Sequence, residues 1–255
     1  MAARLTLALL LGALAAARVH AVCTPLDPTG EDTGCLPSGR LELQCERFVN
    51  KRTIIATTCV LKCHEKYVVN VVRNRPFDEE ACENACASTF STSLGILKPG
   101  ICPVCITQNQ QNLFPSFEAA ADSFNGAIFC DPSGPPFAGD EGGFVPTQVD
   151  VLKCELKFNR NVEKLVKCIG LKCHRHWVDF SFRGHPPFNE TACEETDPAA
   201  SCAARFAAAN ARLPVGCPPC LSAAAQSAVF SAVEQAIDQR LGLAYCGSPS
   251  GAFVE

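Results

Sequence analysis

The chain has 255 residues, of which 18 are cysteine, and its 22 basic and 26 acidic side chains give a formal net charge of −4. The balance is acidic overall and near neutral within the cysteine-rich stretches, so there is no basic stripe to hold nucleic acid or anionic lipid. Cysteine at this density points away from a reducing cytosol and toward an oxidising compartment.

Residues 1–21 read as a signal peptide. Arg4 precedes the apolar run Leu5 to Ala17, which is shorter than the ~20 residues of a membrane span, and Val19-His20-Ala21 offers a small-residue cleavage site. Without Arg4 and Arg18 the mature chain carries 20 basic against 26 acidic residues, a net charge of −6. A leader, 22–43, follows and contains Cys23 and Cys35.

The remaining sixteen cysteines fall into two matching series. Cys45, Cys59, Cys63, Cys82, Cys86, Cys102, Cys105 and Cys130 align with Cys154, Cys168, Cys173, Cys193, Cys202, Cys217, Cys220 and Cys246. The residues beside them agree too. Lys62-Cys63-His64 matches Lys172-Cys173-His174, and Pro76-Phe77-Asp78-Glu79 matches Pro187-Phe188-Asn189-Glu190. A period of domain size predicts two tandem cysteine-rich modules, 44–130 and 151–247, with a short tail, 248–255. The connector, 131–150, holds four prolines and four glycines and reads as an exposed linker, on which Phe137 and Phe144 are candidates to dock.

The expected fold class is mainly α: two tandem disulfide-rich helical modules with a short extended segment in each. Helical spacing is clearest from Pro219 to Leu241, where Leu221, Ala225, Val229, Val233, Ile237 and Leu241 recur at four-residue steps. The matching stretch from Ile106 to Phe129 contains Pro115, expected to kink or split it. Val162, Leu165, Val166 and Ile169 also share a helical face, and Thr53 to Leu61 is assigned to helix with them. Cys193 to Leu213 is a helix interrupted near Asp197-Pro198, whereas Val178 to Phe182 alternates like a strand. Cys59 and Cys63 are four apart, as are Cys82 and Cys86, so each pair shares a helix face. Their counterparts, five and nine apart, must leave from a looped-out backbone. Eight cysteines allow 105 pairings, among which spacing does not choose.

All eighteen cysteines are therefore assigned to structural disulfides. Several other chemistries compete for them. Cys217-Pro218-Pro219-Cys220 resembles a thioredoxin-type redox pair but lacks the βαβ setting that such a pair uses. The two C-x-x-C motifs have thiolates enough for zinc, yet lie in different modules. Cys59 to His64 and Cys168 to His174 are stretched versions of a c-type haem motif. His174, His176 and His185 cluster in the second copy, and His174 and His176 would share a strand face. Solvated surface histidines and paired cysteines explain these patterns more simply. No phosphate loop, G-x-S-x-G or H-E-x-x-H is present. The expected site therefore contains no catalytic residue, no metal and no cofactor. Asn189-Glu190-Thr191 is a glycosylation sequon, marking Asn189.

The expected function is that of a secreted, extracellular, non-enzymatic binding protein whose partner is an extracellular protein or small ligand. An extracellular thiol–disulfide oxidoreductase using Cys217 and Cys220 is the alternative. A secreted effector or protease inhibitor is a third reading.

Overall fold

A computed structural model describes residues 33–97, 101–138, 141–186 and 188–246. The signal-peptide reading and Cys23 lie outside them. The chain is mainly helical: α1 Arg40–Val72, α2 Glu79–Leu94, α3 Val104–Ile128, α4 Val149–Lys167, α5 His174–Phe182, α6 Cys202–Asn210 and α7 Ala223–Ala244. Between α4 and α5 runs a π-helical segment, Cys168–Cys173, and a second one, Ala192–Thr196, precedes α6. Among the described residues, β-pairing is limited to the isolated bridges Cys35 with Cys246 and Pro136 with Phe144.

The expected extended segments are helical. Val178 to Phe182 belongs to α5, and its counterpart, ending at Val72, belongs to α1. Extending an existing helix costs far less than starting one. Here α4, the π segment and α5 run on without a break, and Trp177 and Val178 are buried within that run. Five alternating residues are too weak a signal to overrule this. Pro115 does not divide α3. It sits on the exposed side, so the carbonyl it leaves without a helical donor faces water.

The five-residue spacing from Cys168 to Cys173 has a specific backbone form. The π segment widens the helix to absorb the residue that α1 lacks between Cys59 and Cys63. It thereby keeps both cysteines directed at the same neighbours. Cys59–Cys86 and Cys63–Cys82 staple α1 to α2, and Cys168–Cys202 and Cys173–Cys193 join the corresponding elements. Cys45–Cys102 and Cys154–Cys217 are likewise equivalent.

The last two cysteines of each series behave differently. Cys105 is bonded to Cys246 and Cys130 to Cys220, so each half closes on the other. The two halves share one hydrophobic core and are not separately stapled units. At the crossing of α1 with α4 and its π segment the polar contacts are reciprocal. Asn50 Nδ2 donates to Gly170 O at 2.8 Å, and Asn159 Nδ2 donates to Leu61 O at 3.0 Å. Asn50 and Asn159 are aligned in the repeat, and Leu61 and Gly170 each lie two residues past an aligned cysteine, so the two halves make similar contacts across the crossing. A Cβ on Gly170 would overlap Ile54, which is why the closest approach needs glycine.

Glu155 is fully buried at the same junction, where its Oε1 accepts from the backbone N–H groups of Cys130 (2.9 Å) and Asp131 (3.1 Å). Burial pushes its carboxyl up to about 7, although the two N–H donors pull the other way. Between an unfolded value near 4.5 and this folded value, the folded chain keeps a proton that the unfolded chain has lost. Stability contributed by this group is therefore lost as pH rises through that window, by roughly 1–3 kcal/mol at about pH 8. Glu155→Gln keeps an oxygen for both donors and should flatten the fall, as urea unfolding at about pH 5 and pH 8 would show.

Candidate metal centres

His64 follows Cys63 on α1, and the bridge from Cys63 to Cys82 sets that turn of α1 against α2. On α2, Glu79 and Glu83 are four residues apart and share a face. Asp78 caps the helix beneath them, its side chain accepting from Ala81 N at 3.0 Å. Three carboxylates converge on His64 Nε2: Glu83 at 3.1 Å, Asp122 of α3 at 3.4 Å and Glu79 at 3.6 Å. The connector supplies a further one. Glu141 is 94% buried, and its carboxylate, those of Glu79 and Glu83, and a His64 ring nitrogen all lie within 4.8 Å of one another.

The second half repeats this arrangement. His174 Nε2 faces Asp238 of α7 at 3.1 Å, Glu194 at 3.2 Å and Glu190 at 3.7 Å. Cys173–Cys193 takes the place of Cys63–Cys82, and the Asn189 side chain accepts from Ala192 N at 2.8 Å in place of the Asp78 cap. All four ligand types are identical in the two halves, His64/His174, Glu79/Glu190, Glu83/Glu194 and Asp122/Asp238. Some neighbours differ, as in Glu65/Arg175, Glu80/Thr191 and Ser123/Gln239, while the cysteines before His64/His174 and Glu83/Glu194 are kept.

Both histidines are fully buried, contrary to the expectation of exposed rings. His176 and His185 are exposed. Because α5 is a helix, His174 and His176 do not share a face, so the alternative of a histidine pair, already the less favoured one, does not form. The structure brings together carboxylates from distant helices instead. Burial works against charge on His64, but hydrogen bonding to Asp122 and Glu83 outweighs it and lifts the ring to about 8. Burial, reinforced by Glu141 and Glu83, pushes Glu79 up to about 11. Burial would also raise Glu194, yet the charge of His174 holds it below the usual range.

One imidazolium does not match three or four buried acids, and without a further cation Glu79 keeps its proton. Among the described residues no donor hydrogen-bonds either oxygen of Glu79 or of Glu141. A metal ion would supply positive charge to both clusters. Nitrogen and oxygen ligands at ~2.0–2.2 Å from a shared ion stand roughly 3.0–3.5 Å apart, close to the separations found around both histidines. One imidazole with several carboxylates and no thiolate suits first-row ions such as manganese, iron or zinc. His64 Nδ1 has no hydrogen-bond partner among the described residues. Its ring is positioned instead by the neighbouring bridge and by Phe137, which stands edge-on at 6.4 Å.

The cysteines are not available for the chemistries considered above. Cys217 is bonded to Cys154 and Cys220 to Cys130, so the C-x-x-C pair is neither a dithiol nor an internal disulfide. Cys59, Cys63, Cys168 and Cys173 are all bridged, leaving no thiol for haem, and Cys102 and Cys105 are bridged too, leaving none in the C-x-x-C motifs for zinc. No described cysteine is free, and Cys35 is disulfide-bonded. Among the described residues no helix is long and apolar enough to cross a membrane. Comparison with protein-family models, with curated proteins and with solved structures finds no match to this chain.

Proposed function

We propose that this chain is a secreted, non-enzymatic, disulfide-stabilised binding protein whose ligand is a first-row transition-metal ion, held one to each half by His64, Glu79, Glu83 and Asp122 and by His174, Glu190, Glu194 and Asp238. The observation that carries the reading is the duplicated convergence of three acidic side chains on a fully buried imidazole nitrogen. The apolar run at residues 5–17 and the cysteine content support secretion, and the exposed Asn189 is the site for a glycan. The tandem modules are units of ligand binding rather than of folding. Burial of both histidines away from solvent favours storage or delivery over catalysis, which needs a coordination position open to substrate.

The test uses the full secreted chain with its bridges intact, stripped with chelator and dialysed against manganese, iron or zinc. Metal analysis should find about two ions per chain for at least one of these, about one in His64→Ala or His174→Ala, and none in the double variant. Uptake of none of them, or uptake unchanged in the double variant, would overturn the reading.

A further inference from the structure

The second half contains a cavity of about 390 Å³ between α4, the π segment and α6, far from the ligand set of either metal centre in chemical character. Every charged side chain lining it is cationic: Lys164 and Lys167 from α4, Lys172 from the π segment and Arg205 from α6. Its remaining wall is largely apolar, with Leu165 and Phe206 prominent. Phe206 packs between Phe158 and Phe230, at ring distances of 5.7 and 6.4 Å, so that side of the wall is rigid.

Neither the fold nor the overall charge calls for this concentration of cations. In the first half the positions of Lys164, Lys167 and Arg205 are held by Ile55, Thr58 and Thr89, while Phe206 corresponds to Phe90. The helices are kept, but of the four cations only Lys172 has a cationic counterpart, Lys62. The chain as a whole is acidic, so clustered cations stand against its general field. Asp197 is the acid that acts on Lys172 and Arg205, but it does not line the cavity. Its Oδ1 is engaged by the N–H groups of Ala199 and Ala200 in the turn before α6. Lys172 reaches the Ala200 carbonyl at 3.1 Å, which fixes one ammonium at the rim.

We propose that this cavity binds a small organic anion, with a carboxylate or phosphate head against Lys164, Lys167 and Arg205 and an apolar body against Leu165 and Phe206. Guanidinium and ammonium groups match such a head by charge-assisted hydrogen bonds, and a concave, mostly apolar wall with few polar groups is the usual form of a small-ligand site.

Calorimetric titration of the intact, metal-loaded chain with octanoate, octyl phosphate and inorganic phosphate tests this. One or both octyl compounds should bind one to one, at least about tenfold more tightly than inorganic phosphate, and weaken as salt is raised. In Lys164→Ala/Arg205→Ala, whose altered positions are both exposed, affinity should fall at least about tenfold while metal content and helicity stay unchanged. No binding of any probe at millimolar concentration would overturn the proposal, as would equal binding by the double variant. Inorganic phosphate binding as tightly as octyl phosphate would overturn the role of the apolar wall.

Discussion

Removing metal with a chelator should lower the thermal midpoint of the bridged protein by at least about 10 °C, and replacing it should restore the loss. An ion at a thousandfold excess over its Kd adds about 4 kcal/mol for each site, and a chain of this size moves by about 2–4 °C for each kcal/mol. The two centres should contribute separately. His64→Ala should abolish the part due to the first and His174→Ala the part due to the second, because their ligands come from different helices. They should also differ from each other. The first centre has Glu141 as an additional buried carboxylate, brought by the connector, and the ligand set found around His174 has no connector residue. Its ion should leave more slowly to a chelator, and Glu141→Gln should speed that loss at least about tenfold without changing the second phase. Metal uptake should weaken as pH falls, because the ion displaces protons from His64, raised to about 8, and from Glu79. Stopped-flow chelation with scanning calorimetry reads all of these effects. A single release phase unaffected by Glu141→Gln would contradict the assignment of that residue.

The second large effect concerns the bridges between the halves. Cys105→Ala/Cys246→Ala opens a link spanning 141 residues, and Cys130→Ala/Cys220→Ala one spanning 90. Chain entropy assigns each up to about 5 kcal/mol, reduced by the other bridges that already shorten the loops. Urea unfolding should therefore show a loss of several kcal/mol in either variant. Removing both should cost less than the sum, since each link restricts the same relative motion of the halves. Peptide mapping without reduction should recover Cys105 with Cys246 and Cys130 with Cys220. Recovery of Cys105 with Cys130, and of Cys220 with Cys246, would mean two self-contained modules and would remove the crossed architecture.

Much of the helical content was legible because it is written locally. The four-residue steps of Val229, Val233, Ile237 and Leu241 put one apolar face on α7, and all four are buried there. The extra residue between Cys168 and Cys173 signalled a local distortion, which the π segment supplies. The alternation at Val178 to Phe182 misled because it covers only five residues inside a longer helix. The candidate site was only partly legible. Glu83 and Glu194 each follow an aligned cysteine directly, and Glu79 and Glu190 end the aligned Pro-Phe-Asp/Asn-Glu strings, so identical acids beside aligned cysteines were a usable signal. Asp122 and Asp238 had a similar one: counted back from Cys130 and Cys246 they align, framed by Glu118/Glu234, Ala120/Ala236 and Gly126/Gly242.

By itself the amino-acid order determined the composition class, the repeat and most helix positions, all of which depend on residues near one another along the chain. Which cysteine meets which, and which acids meet His64 and His174, depended on how the helices cross. A crossing brings together residues far apart in sequence, through core packing that no local pattern encodes, and only the tertiary structure could decide it.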